Sequence, residues 1–128
     1  MEWTEHRFLS FDKTVVFYRR LKPLSKVKAT ILVVHGMGEH GGRYQFSAEF
    51  LASMGIELFI PDLRGFGRSA GPRGCIRSFY DYHRDLGALH RLVAEEEKGS
   101  PIFLLGHSLG GLIASTYTVF AEHPSITG

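Results

Sequence analysis

Cysteine is nearly missing from this sequence. Cys75 is the single one in 128 residues, which excludes an internal disulfide and any cysteine-built metal site. No base stands beside it in sequence, so Cys75 reads as an ordinary loop cysteine. Long apolar runs are lacking too, and none approaches the length of a membrane span. The opening residues, Met1-Glu2-Trp3-Thr4-Glu5-His6, hold neither a basic segment nor an apolar one, so no signal peptide is read there. A cytoplasmic setting is expected, with peripheral contact to a membrane left open. An excess of either charge is lacking too, with 15 Lys and Arg against 13 Asp and Glu. The formal net charge is +2, which speaks against a nucleic-acid partner. Repeats, low-complexity tracts and linkers are absent. What is present is the composition of a globular chain, 44% apolar and 22% charged. It is long enough for one ordinary core.

Two short β-like runs open the chain, Arg7–Ser10 and Thr14–Tyr18, with Phe11-Asp12-Lys13 as a hairpin turn. Ala29–His35 is almost entirely apolar, as in a strand buried on both faces. A glycine-rich loop follows. A helix is then predicted around Tyr44–Ser53, with Phe46, Phe50, Leu51 and Met54 on one side and Gly55 as its end. Ile56–Ile60 is the next strand, and a glycine-rich loop runs from Asp62 to Gly74. Phe79, Tyr82, Leu86, Leu89 and Val93 form a stripe at helical spacing. Gly99-Ser100-Pro101 breaks that helix. Ile102–Leu105 is a strand, and a further helix follows from Gly111. Strands alternating with helices from residue 29 onward predict an α/β fold, a mostly parallel sheet covered on both faces.

In such a sheet, ligands bind beyond the carboxyl ends of the strands. Three glycine-rich segments fall there: His35–Gly42, Asp62–Gly71 and Gly106–Gly111. Strand, Gly106-His107-Ser108-Leu109-Gly110, helix is the pattern of a nucleophile elbow, which makes Ser108 the candidate nucleophile. The plain alternative is a serine capping an ordinary helix. Attack on a carbonyl develops negative charge on oxygen, and two backbone N–H groups aimed at it stabilise that charge. Leu109, after the nucleophile, and Met37, in the first loop, are the candidate donors. The first loop also reads as Gly36-x-Gly38-x-x-Gly41 with Asp62 further on, the fingerprint of a dinucleotide site in an oxidoreductase. Against that, Asp62 follows Pro61 and opens a glycine loop, and Ser108 is left without a purpose.

His35–Tyr44, Asp62–Ser69 and Gly106–Gly111, in that order and spacing, closely resemble the monoacylglycerol lipase/lysophospholipase group of α/β-hydrolases. These are serine hydrolases often grouped with the S33 aminopeptidase-like fold. Phe66 stands where many relatives carry histidine or tyrosine. The resemblance implies hydrolysis of a carboxylic ester of a lipid, such as a monoacylglycerol or lysophospholipid, through acylation of Ser108. It implies no metal and no organic cofactor.

A serine needs a base and a group that orients the base. In the resembling family these follow on later loops. Glu122 and His123 are the only acid and histidine after Ser108, and at about 1.5 Å rise per residue His123 lies about 20 Å down the helix. His35 and His40 are weaker stand-ins for the base. His107 adjoins the nucleophile but leaves the turn in another direction. His83, His90, Asp81 and Asp85 are expected to be solvated or capping residues of the long helix. Arg64, Arg68, Arg73 and Arg77 are expected to form a solvated face that orders their loop rather than a phosphate site. Residues 1–128 are thus expected to be the N-terminal portion of a hydrolase domain, without catalytic acid, base or cap, and with little activity alone. The alternative is a non-catalytic binding module that kept the crevice. Either way the strand before Ser108 is expected to show an open edge, suited to self-association or a complementing chain.

Overall fold

The computed structural model describes residues 1–120 and 126–128. Strands β1 (Glu2–Leu9) and β2 (Val15–Lys22) form the predicted hairpin. Both outrun their apolar runs, because the ladder continues to Glu2 opposite Lys22 through residues with charged side chains. Lys13 closes the turn at φ 66°. Then come β3 (Ala29–Val34), a 3-10 turn over Gly41–Tyr44, α1 (Gln45–Ser53), β4 (Ile56–Pro61), α2 (Tyr80–Glu96), β5 (Ile102–Gly106) and α3 (Leu109–Phe120). The sheet order is β1-β2-β4-β3-β5. β3 is parallel to both β4 and β5, while β2 joins β4 antiparallel. The predicted α/β fold, a mostly parallel sheet with helices on both faces, is the one observed.

Alternation along the buried strands divides the core in two. Leu32 and Val34 of β3 pack with Phe59, Leu89, Ile113 and Tyr117 on the side of α2 and α3. Val33 packs with Leu58, Ile60, Ala48 and Ala52 on the side of α1. The parallel strands therefore sit between two layers of helices, and their carboxyl ends emerge at one edge.

Two expectations change. The side of α1 that carries Phe46, Phe50 and Met54 faces outward, and Phe46 is 87% exposed. The buried face is built on Ala48 and Ala52, whose small side chains let the helix lie close to β4. The edge of β5 is also not wholly open. The Thr127 amide donates to the Ile102 carbonyl at 2.6 Å, and the Leu104 amide to Gly128 O at 2.8 Å.

Candidate active site

Gly106 ends β5 and Leu109 starts α3, leaving His107 and Ser108 to make the turn. Ser108 adopts φ 55°. That left-handed conformation costs a residue with a side chain about 1–2 kcal/mol. The glycines around it are demanded by backbone packing. A Cβ on Gly110 would run into the Val34 carbonyl oxygen and lie 2.5 Å from the His35 carbonyl oxygen. One on Gly106 would meet the Gly110 carbonyl and lie 2.6 Å from Gly111 Cα. The His107 amide donates to Val34 O at 3.1 Å, tying the elbow to β3. Ser108 is exposed, and among the described residues its hydroxyl makes no hydrogen bond. Its carbonyl accepts from the Leu112 amide at 3.1 Å, the first bond of α3, but among the described residues its side chain caps no helix amide.

The first loop presses against this turn. A Cβ on Gly36 would sit 3.3 Å from Ser108 Cβ, so Met37 follows directly on the closest approach of the two loops. Neither the Met37 amide nor the Leu109 amide has an acceptor among the described residues. Glu39 takes the neighbouring donor. Its Oε1 accepts from the Gly36 amide at 2.7 Å and from the Tyr44 hydroxyl at 2.6 Å. His107 Nδ1 is 3.4 Å from the same oxygen. The hydroxyl of Tyr44, then the Gly36 amide, draw the Glu39 carboxyl down to about 2. Burial, then the hydrogen bond to Glu39, raise the Tyr44 phenol. Glu39 was not among the predicted site residues; its place three residues after Gly36, within reach of that amide, was the available signal.

The histidines near the crevice are engaged elsewhere. His35 is fully buried. Its Nε2 accepts from the Leu63 amide at 2.8 Å, so Nδ1 carries the proton and donates to Gly36 O at 2.7 Å. Burial lowers its pKa and keeps it neutral. His35 bridges the first and second loops and is no base. His40 is exposed and caps the 3-10 turn through Nδ1, which accepts from the Gly42 amide. Glu122 and His123 lie outside the described residues.

Asp62 is equally committed. Fully buried, it accepts from the Gly41 amide at 2.7 Å, the Arg68 amide at 2.8 Å and Arg19 at 3.0 Å. The dinucleotide reading fails here, because the amides of Gly36 and Gly41 are bound to the chain's own carboxylates. Arg64 is buried rather than solvated. It forks onto Asp85 at 2.7 and 2.6 Å and reaches Asp12 at 2.8 Å. Asp81, Asp85 and His90 are buried as well, against expectation; His90 meets the Tyr117 hydroxyl, and His83 meets Thr116. Arg68 pairs with Glu5, and Arg73 reaches the carbonyls of Gly67 and Ser69, so both order loops as expected. A crevice of about 580 Å³ between Phe11, Arg64, Cys75, Arg77 and Arg84 does not include Ser108. Among the described residues no helix is long and apolar enough to cross a membrane.

Residues 25–128 match the serine aminopeptidase S33 family. The chain belongs to this family of α/β-hydrolases. It is 40% identical to human monoglyceride lipase over 103 residues, 80% of this chain and 34% of that protein. It is 38% identical over 100 residues to the phospholipase YtpA of Bacillus subtilis, 78% of this chain and 38% of that one. The crystal structure of a thermostable carboxyl esterase from Bacillus coagulans, in complex with glycerol, superposes with a TM-score of 0.89 at 28% identity, over 100% of this chain and 43% of the esterase. The S33 chain thus spans between 34% and 43% of the length of these three relatives.

Proposed function

We propose that residues 1–128 carry the nucleophile and oxyanion hole of a lipid carboxylic-ester hydrolase, with a monoacylglycerol or lysophospholipid as substrate. The observation that carries this reading is Ser108, held in a left-handed turn, with no hydrogen bond to its hydroxyl or to the Met37 and Leu109 amides among the described residues. Ser108 Oγ attacks the ester carbonyl and gives its proton to a base. The oxygen that becomes negative accepts from the Met37 and Leu109 amides. Collapse breaks the ester bond, and the leaving alcohol takes the proton back from the base. Water then repeats the sequence on acyl-Ser108 and frees the fatty acid. Two such donors contribute several kcal/mol. Of the histidines near the crevice, His35 spends both ring nitrogens and His40 its Nδ1 on loop contacts, and His107 approaches Glu39. We assign base and acid to a part of the enzyme other than these residues, so the chain by itself turns over little ester. The monoglyceride lipase and phospholipase relatives support the substrate class.

An alkyl fluorophosphonate tests the reading, with the adduct located by peptide mass spectrometry. With imidazole added in place of the absent base, one adduct on Ser108, lost in Ser108→Ala, is expected; without it, labelling and release of fatty acid from monooleoylglycerol stay near background. A folded chain without an adduct even in the presence of imidazole favours the non-catalytic binding module. Ser108-dependent turnover by residues 1–128 alone refutes the assignment of the base elsewhere.

A further inference from the structure

We infer that Glu39 is a positioning residue, which sets the oxyanion amide of Met37 against Ser108 by holding both loops through one carboxylate. The inference rests on the nucleophile reading above. The geometry is specific. Gly36, whose amide donates to Glu39 Oε1, immediately precedes Met37. His107, whose Nδ1 lies 3.4 Å from that oxygen, immediately precedes Ser108. Each contact therefore acts on the residue next to a reacting group. Tyr44, entering α1, fixes the same oxygen from the helix side. On the outer side, Arg43 stands 3.7 Å from Oε2 and is exposed to solvent.

The loop contains successive amide donors at Gly36 and Met37, and successive amides can converge on one anion. By accepting from Gly36, Glu39 removes one donor from competition and leaves Met37 as the open one. A carboxylate is needed for strength rather than for proton transfer. It is only 12% exposed, and its low pKa keeps it charged across neutral pH. A glutamine offers a carbonyl oxygen of the same reach, so it preserves the two donated bonds while losing charge. An alanine loses them all.

Glu39→Ala, Glu39→Gln and Tyr44→Phe separate this role from a general effect on folding. Imidazole-assisted fluorophosphonate labelling of Ser108 is expected to slow about 10–100-fold in Glu39→Ala, the range for a misplaced oxyanion donor. Glu39→Gln is expected to stay within about threefold, since its bonds remain. In 1H–15N spectra, Glu39→Ala is expected to shift the amides of Ser108 and Leu109, across the gap between loops, as well as residues 36–44. Labelling of Glu39→Ala at the wild-type rate overturns the inference. Shifts confined to residues 36–44 overturn it too. Absence of label on the wild-type chain refutes the nucleophile reading instead, and the spectra still decide the coupling of the loops. If Glu39→Ala does not fold, Tyr44→Phe decides: it removes one bond to Oε1 and is expected to shift the Met37 and Leu109 amides, and unmoved amides refute the role.

Discussion

Gly110 and Gly111 are neighbours in sequence with different surroundings. A Cβ on Gly110 has no room, because the Val34 carbonyl occupies its place, whereas one on Gly111 meets Gly106 O at an ordinary 3.4 Å. Gly110→Ala should therefore cost about 3 kcal/mol or more, the upper range for overpacking against rigid surroundings. Gly111→Ala should leave stability unchanged or raise it by up to about 1 kcal/mol through helix propensity. Urea denaturation of the two variants checks the contrast, and equal losses would refute it. At this scale the elbow was legible, since a tight turn demands small residues in a fixed order. Its partners were less so. Glu39 takes its meaning from Tyr44 and His107, and His35 from Leu63, contacts that exist only once the loops have folded together.

Elements were legible where a periodic pattern meets a large core, as in α2, whose predicted stripe of Tyr82, Leu86, Leu89 and Val93 is buried. α1 shows why apolar periodicity can mislead. Its position and length were readable, but large side chains at Phe46 and Phe50 do not fit the gap to the sheet that Ala48 and Ala52 fill. The polar side of α2 was misread for a related reason. Asp85 sits on that side, and the buried Arg64 arrives from the loop after β4 to meet it, while Ser10 donates to it from the hairpin. Arg64 thereby joins three elements: the hairpin turn through Asp12, its own loop, and α2. Arg64→Ala, which strands a buried carboxylate, should cost about 3–5 kcal/mol. Arg64→Lys should recover only part of this, because an ammonium cannot fork onto Asp85. Thermal or urea unfolding reads both, and a loss under about 1 kcal/mol for the alanine variant would show the pair to be no stronger than a surface contact.

Over the whole molecule, the alternation of strand and helix revealed the parallel order of β3, β4 and β5 and the common edge of their loops. The antiparallel seam of β2 with β4 was not legible, since it joins residues some forty positions apart with no local signal. The fold then does something no single element can. It brings three loops to one edge and stitches them through His35, Glu39 and Asp62. It also pins His107 to β3 and closes Gly110 against Val34, so Ser108 has no relaxed alternative. In the proposed function this serine keeps its left-handed strain and leaves its side chain unspent on capping α3, so that the hydroxyl is available for chemistry. The unfolding free energy of Ser108→Gly tests that claim most directly. Glycine adopts φ 55° without steric cost, so the variant should be about 1 kcal/mol more stable than the wild type, net of the entropy that glycine adds to the unfolded chain. A variant of equal or lower stability would contradict the account and return Ser108 to the role of an ordinary helix-capping residue.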